Sequence, residues 1–380
     1  MELDYEVGLI TFPLGKAGST PLLNLVKLLT EISNEVYIIS GGPALESLKL
    51  FKNKNIYVVN IHHKVGSNAF TRITNYITTQ FMILRNIILI YRRVDFFIFF
   101  IGGEGLLIPF LALKLLKRKF ILMPGGVASK GYLVRKDPLF KFMSLLVTVN
   151  FSLADRIVVY SHALIRELNI NQGNKTVVAH RHFVDFTKFI IKKRISERAN
   201  VVGYIGRFAD EKGILNLVKS ISLVLNRRKD VCFVLCGEGE LSDEIRKIIQ
   251  HENLEAYVKL TGWISHADIP NFLNDFKLLV LPSYTEGLSN IMLEAMACGT
   301  PVLATSVGAI PDIIKDDETG FLLKSNDPKH IAVRVIEILN KPALLEKVSI
   351  NAYNYVRNNF SYEKTLESWR RILSELESSR

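Results

Sequence analysis

The chain has 380 residues, more than one core usually serves, so two domains are expected. With 48% hydrophobic and 22% charged residues it has an ordinary globular composition, which excludes a disordered or low-complexity chain. The net charge of +11 asks for an anionic partner. No basic run interleaves with aromatics, so a phosphorylated substrate or an anionic membrane surface is expected, and nucleic acid is not.

The amino terminus "MELDYEVGLI" lacks the basic start and apolar middle of a signal peptide. Short β-branched or aromatic runs then alternate with helical patterns: "EVGLITF", "EVYIIS", "NIYVVN", "DFFIFF", "KFILMP" and "RIVVYS" read as strands, "TPLLNLVKLLTEI" and "LLIPFLALKLL" as helices. Continuous apolar strands between helices indicate a parallel sheet covered on both faces. The most membrane-like run, "FFIFFIGGEGLLIPFLALKLL", is broken by glycines, Glu104 and Pro109, so a strand, loop and helix are expected there and not a span. Lys114, Lys117, Arg118 and Lys119 are candidates for contact with anionic lipid. His62-His63 has no cysteine or carboxylate cluster beside it and reads as a loop pair.

"IIKKRISERAN" is charged and weakly patterned and reads as a linker, after which the alternation restarts with "VVGYIG", "VCFVLCG", "VKLTG", "LLVLPS", "PVLATS" and "GFLL". The expected division is an N-terminal domain over 1–186, a linker over 187–199, a C-terminal domain over 200–360 and a closing helix over 361–380. In that helix Leu366, Trp369 and Leu373 form one apolar stripe, expected to pack back on the N-terminal domain. Cys232, Cys236 and Cys298 make no metal pattern. The first two, four apart on a strand, stand about 13 Å from one another, too far for a disulfide. A reducing cytoplasm is expected.

Four loops at strand ends carry unusual chemistry. In "GYIGRFADEKGI" a strand runs into Gly206-Arg207 and then Lys212-Gly213, and the two cations could converge on one diphosphate. "VLCGEGEL" ends in Gly237-Glu238-Gly239, half a dinucleotide fingerprint. "LTGWIS" places Trp263 and Ile264 after a strand-end glycine; backbone there could meet a flat base, although a packed tryptophan is the commoner outcome. The fourth, "EGLSNIMLEAMACGTPV", has Glu286-Gly287 in a loop and Ser289 as an N-cap, so the free N–H groups near Asn290 form an anion site. Glu286 and Glu294 flank that site and suit hydroxyls, not phosphate.

These segments resemble the retaining GT-B glycosyltransferases of family 4, the glycosyl transferases group 1, whose signature is two glutamates separated by seven residues. Glu286 and Glu294 match it, Arg207 and Lys212-Gly213 match "GR....KG", and "VGAIPDII" is similar to "GG.PE.I", with Ala309 and Asp312 departing. The resemblance is strong over 201–325 and thins before 150. It implies an α/β GT-B fold, two Rossmann-like doubly wound parallel-sheet domains facing an inter-domain cleft. It also implies an enzyme of hexosyl or related specificity; the cysteine content and the basic N-terminal half add the expectation of a cytoplasmic protein, peripheral on the inner membrane face. Such an enzyme moves a sugar with retention from a UDP- or GDP-linked donor to a glycan or lipid-linked acceptor.

Residue by residue, the resemblance gives Glu294 the ribose hydroxyls and Glu286 the transferred sugar. The Leu288, Ser289 and Asn290 backbone takes the diphosphate, with Gly287, Gly237 and Ile264 as further donor contacts. Arg207 and Lys212 neutralise the leaving diphosphate in place of a metal; no cofactor is implied. Gly15 or Gly18 in "FPLGKAGST" would approach the donor phosphate. Relatives carry a histidine after the strand matching "FILMPGG", where this chain has Pro124-Gly125-Gly126. His182-Phe183 replace Asn-Gly of the hinge segment, where a packing role is expected of His182. The alternatives are a catalytically silent nucleotide-sugar-binding subunit and a GT-B epimerase.

Overall fold

The computed structural model describes residues 5–15, 18–51, 55–64, 66–124, 140–170 and 173–378. The chain forms two compact units, Met1–His182 with Thr365–Arg380, and Phe183–Lys364. Gly125 and Gly126 lie outside the described residues.

The first unit is built on β1 (Glu6–Thr11), β2 (Glu35–Ser40), β3 (Ile56–Asn60), β4 (Phe96–Phe100), β5 (Lys119–Met123), β6 (Arg156–Val159) and β7 (Thr176–Val178). All pairings are parallel, in the order β3-β2-β1-β4-β5-β6-β7. The central β4, Phe-Phe-Ile-Phe-Phe, is buried along its whole length, as a strand covered on both faces must be. Its helices are α1 (Ser19–Leu29), α2 (Ala69–Ile90), α3 (Leu107–Leu115), α4 (Phe140–Leu153) and α5 (His162–Glu167).

Helix α2 inverts the usual amphipathic rule. It buries Thr79 and Gln80 beside Ile83 and Ile87, while Phe70, Ile73, Ile77, Phe81, Ile88 and Leu89 face out. The inward polar groups are satisfied: Thr79 donates to Asn75 O, and Gln80 Oε1 accepts from the Ile108 amide at 2.9 Å, the free N–H at the start of α3. Among the described residues no helix is long and apolar enough to cross a membrane. The last helix, Tyr362–Ser378, adds its final residues to this unit, with Trp369 and Leu373 fully buried. Trp369 Nε1 donates to His180 O at 3.0 Å, so the indole leaves no unpaired donor.

The second unit repeats the plan with β8 (Val201–Ile205), β9 (Cys232–Cys236), β10 (Val258–Gly262), β11 (Leu278–Leu281), β12 (Val302–Thr305) and β13 (Phe321–Leu323). The order is β10-β9-β8-β11-β12-β13, again all parallel. Its helices are α6 (Ile214–Leu225), α7 (Ser242–His251), α8 (Ile269–Asp275), α9 (Asn290–Ala297), α10 (Ile310–Ile313), α11 (Pro328–Leu339) and α12 (Pro342–Phe360). Helix α6 buries Ile214, Leu217, Val218, Ile221 and Val224, one face at helical spacing, each worth about 1.5–3 kcal/mol of burial.

The stretch 187–199, read as a linker, lies inside this unit. Its low periodicity hides a buried staple: the Arg198 guanidinium donates to the carbonyls of Lys193, Leu273, Phe276 and Cys298 and to Thr300 Oγ1. Hydrophobic patterning cannot reveal such a segment, because one arginine organises it.

Candidate functional site

In each sheet the strand order reverses beside its first strand, and ligands of open α/β sheets bind beyond the carboxyl ends at that switch point. In the second unit the switch lies between β8 and β11. The loops that leave these two strands carry Arg207, Lys212 and Glu286.

Backbone contact locks the two loops together. Gly213 has φ +63, and a Cβ there would lie 2.0 Å from Pro282 O, so only glycine lets α6 start this close to the β11 loop. The Tyr284 amide donates to Glu211 O at 2.9 Å, and Asn216 Nδ2 donates to the Tyr284 hydroxyl at 2.8 Å. Lys212 is thereby presented to Glu286: Nζ donates to Oε1 at 2.8 Å, and the Ser283 hydroxyl donates to the same oxygen at 2.8 Å. The pair is shielded, with the glutamate side chain 11% exposed. Gly308, at φ +57, packs under the carbonyl of Glu286, and the Ala309 amide donates to Gly287 O at 3.1 Å. The "VGAIPD" segment therefore supports the first glutamate's backbone.

Helix α9 follows. Ser289 occupies its N-cap, but its side chain makes no capping hydrogen bond. The position matches the sequence reading while the bond does not form, so the N–H groups at this helix start lack that intrachain acceptor. Leu288 and Ser289 are buried; Asn290 is half-buried. Leu293 and Met296 point into the core and Glu294 does not share their face. Burial raises the Glu294 carboxyl above its ordinary range. A 2.8 Å hydrogen bond joins Glu294 Oε1 to His266 Nε2, and this bond raises the imidazole above 6.5. Sequence reasoning missed His266; the signal was its place two residues past Ile264, in the loop that closes β10.

Arg207 is exposed and pairs with Glu211, while its carbonyl accepts from the Tyr204 hydroxyl at 2.8 Å. Each predicted cation thus has its own carboxylate, Glu211 for Arg207 and Glu286 for Lys212. Beside them, Gly206 N donates to Cys236 O and Gly237 N to Gly262 O, tying three strand ends together. Ile264 is half-buried and Trp263 is 72% exposed, so that tryptophan is not packed.

Gly15 and Gly18 belong to the first unit, where Gly18 N donates to Gly15 O at 2.9 Å. His182 is buried there too; desolvation and the neighbouring Arg181 charge hold it neutral, and its Nδ1 has no partner among the described residues. Among the described residues no three His, Cys, Asp or Glu side chains form a group that could hold a metal ion.

Residues 185–355 match the family model of Glycosyl transferases group 1. The uncharacterized glycosyltransferase MJ1178 of Methanocaldococcus jannaschii is 26% identical over 359 residues, covering 93% of both chains. The N-acetyl-alpha-D-glucosaminyl L-malate synthase of Bacillus anthracis is 22% identical over 378 residues, 97% of this chain and 96% of the relative. Among solved structures, Anabaena Alr3699/HepE in complex with UDP superposes with a TM-score of 0.76 at 17% identity, over 97% of this chain and 99% of that one. The likeness establishes the GT-B type of fold, two Rossmann-like domains in one chain. Family model and relatives support placement among the group 1 glycosyl transferases.

Proposed function

We propose that this chain is a glycosyltransferase that moves a sugar from a nucleoside-diphosphate donor to a glycan or lipid-linked acceptor, with retention and without a divalent metal. The observation that carries this reading is the Lys212–Glu286 pair standing beside the uncapped start of α9, with the shielded Glu294 carboxylate one turn further along that helix, held by His266. A cation, free N–H groups and two carboxylates suit a diphosphate flanked by hydroxyls at each end. Glu294 takes the ribose hydroxyls, Glu286 the transferred sugar, and the Leu288–Asn290 backbone the phosphates.

Departure of the nucleoside diphosphate breaks the bond from the anomeric carbon to the β-phosphate oxygen and leaves the sugar oxocarbenium-like. Negative charge grows on that phosphate; Lys212 and Arg207, drawn from their resting partners Glu286 and Glu211, stabilise it together with the helix start, so the transition state is stabilised more than the bound donor. The acceptor oxygen attacks the same face, and its proton passes to the leaving phosphate. No side-chain nucleophile is required.

We place the enzyme in the cytoplasm, docked reversibly on an anionic membrane. The outward apolar face of α2 supports docking, as does the lack of any acidic residue in α2, α3 and α4. UDP in the Anabaena structure makes uridine the first donor base to try, with guanosine second.

The test is a panel of UDP- and GDP-sugars, read first by thermal shift and then by transfer to lipid and glycan extracts. Saturable stabilisation by one donor and a product with the donor's anomeric configuration are expected. No response to any sugar nucleotide would overturn the reading; an inverted product would overturn retention.

A further inference from the structure

We infer that the first unit holds an oxyanion-binding site centred on Arg181, which seats a phosphate or carboxylate carried by the acceptor. The site stands on the structure of this unit; its assignment to an acceptor rests on the transferase reading above.

Arg181 follows β7, on a segment fixed beside β6 by the Ala179 amide, which donates to Val159 O at 2.9 Å. Its guanidinium lies over two rings, 5.0 Å from the centroid of Phe100 and 5.6 Å from that of Tyr160. Phe100 ends β4 and Tyr160 directly follows β6, so the arginine sits at the carboxyl edge of the sheet, where such folds bind ligands.

The side chain is 7% exposed, Nε is buried without a hydrogen-bond partner, and among the described residues no Asp or Glu pairs with it. A buried guanidinium normally spends its donors. Arg198, 4% exposed, shows what a structural arginine does in this same chain: it donates to four backbone carbonyls and a threonine hydroxyl. Arg181 has nothing comparable. Burial pushes its guanidinium down to about 10, so it remains a cation at neutral pH. His182 beside it is neutral and supplies no counter-charge.

A buried cation without an anion is a cost that folding alone does not explain. The ring contacts hold the guanidinium plane, while its N–H edge is the part that grips a carboxylate or phosphate as a fork. Lysine could not reproduce that grip.

The competing role is a guanidinium that merely packs between two rings, and stability separates the two. The full chain carrying Arg207→Ala and Lys212→Ala, which removes the cations of the second unit, is the reference. It is melted in rising inorganic phosphate or acetate, with and without Arg181→Met or Arg181→Lys. Arg181→Met should melt higher than the reference without anion, because an unpaired buried charge is gone. The reference should gain stability saturably with phosphate or acetate, whichever group the site reads. The methionine variant should need at least tenfold more anion, and the lysine variant should fall between.

A methionine variant that melts lower at every anion concentration, or an anion response unchanged in both variants, would overturn the site. If Arg181→Met does not fold, the packing role is upheld and the site overturned. For transfer, Arg181→Lys in the otherwise unsubstituted chain should raise the acceptor KM about tenfold and leave the donor KM unchanged. An anion response that depends on Arg181 in a chain that transfers no sugar would keep the site and discard the transferase.

Discussion

Lys212 Nζ and Glu286 Oε1 stand 2.8 Å apart although 74 positions separate the residues in sequence. The pair restrains the lysine before any donor arrives, so a bound diphosphate must compete with Glu286 for it. Glu286→Gln loosens that hold, and nucleoside diphosphate affinity should be retained or rise slightly. Turnover should fall about 100-fold, because the carboxylate contact to the sugar is lost where charge develops. Glu294→Gln should show the opposite split, weakening the free nucleoside diphosphate together with the sugar nucleotide. Calorimetry beside initial rates makes the comparison. Abolished nucleoside diphosphate binding in Glu286→Gln with intact binding in Glu294→Gln would reverse the roles.

The Glu294–His266 bond predicts a pH dependence of donor binding. The imidazole's folded value lies above its ordinary 6.5, so the pair's contribution to stability is complete below about 6.5 and is lost as pH rises through the raised value. Protonated His266 grips Glu294 hardest and competes with ribose hydroxyls. Nucleoside diphosphate affinity should therefore fall several-fold as pH drops through that raised value, and His266→Gln should flatten the profile. An unsubstituted chain with a flat profile over about pH 6–8 counts against the competition.

Much of this was legible in the sequence, and the missed parts share a cause. Strands such as "DFFIFF" and "VCFVLCG" announce themselves because continuous apolar runs have few other uses. Glu286, Glu294, Arg207 and Lys212 stood out because their spacing is tied to strand ends. Their pairing did not, since the contact of Gly213 with Pro282 O is long-range geometry. The short β7, Thr-Val-Val, has too few residues to show a period. The buried staple of Arg198 and the bare guanidinium of Arg181 look identical in sequence; only their surroundings tell them apart.

That staple gives a stability prediction. Arg198→Met keeps the volume but strands carbonyls of Leu273, Phe276 and Cys298 in a dry interior, at about 1–3 kcal/mol for each group left unsatisfied. Loss of several kcal/mol by denaturant titration is expected, with nucleoside diphosphate affinity unchanged in the fraction that folds. A variant as stable as the unsubstituted chain would show that water replaces the guanidinium.

Metal independence is part of the proposed mechanism. If Arg207, Lys212 and the start of α9 take the charge a divalent ion would otherwise meet, transfer should persist in excess EDTA. Arg207→Ala and Lys212→Ala should each damage both donor affinity and rate, because the phosphate they face gains charge during departure. Activity lost in EDTA and restored only by magnesium or manganese would remove the metal-free mechanism.

The last prediction concerns the helical face of the first unit. Two of the four cations marked from sequence are already engaged: Lys114 pairs with Asp155 at 2.5 Å, and Lys119 donates to Leu376 O at 2.7 Å. The lipid contact is therefore assigned to the adjoining helices α2, α3 and α4, where Phe70, Phe81, Leu89 and Leu115 are 79%, 55%, 68% and 85% exposed. Arg85, Arg92 and Lys117 are exposed around them, and no acidic residue lies on these helices. Two copies meeting through this face would set arginine against arginine with no acid to pair, which favours anionic lipid as the occupant. Each cation near such a surface is worth about 1 kcal/mol, and the outward aromatics add burial in the headgroup region. The chain should float with vesicles containing phosphatidylglycerol at low salt, less at high salt, and little with neutral lipid. Phe70→Ser with Phe81→Ser should lower recovery at both salt concentrations, whereas Arg85→Gln with Arg92→Gln should lower it mainly at low salt. Equal recovery on neutral and anionic vesicles removes the electrostatic half of the idea. A dimer in solution that the two serine substitutions dissolve would assign the face to a second copy instead.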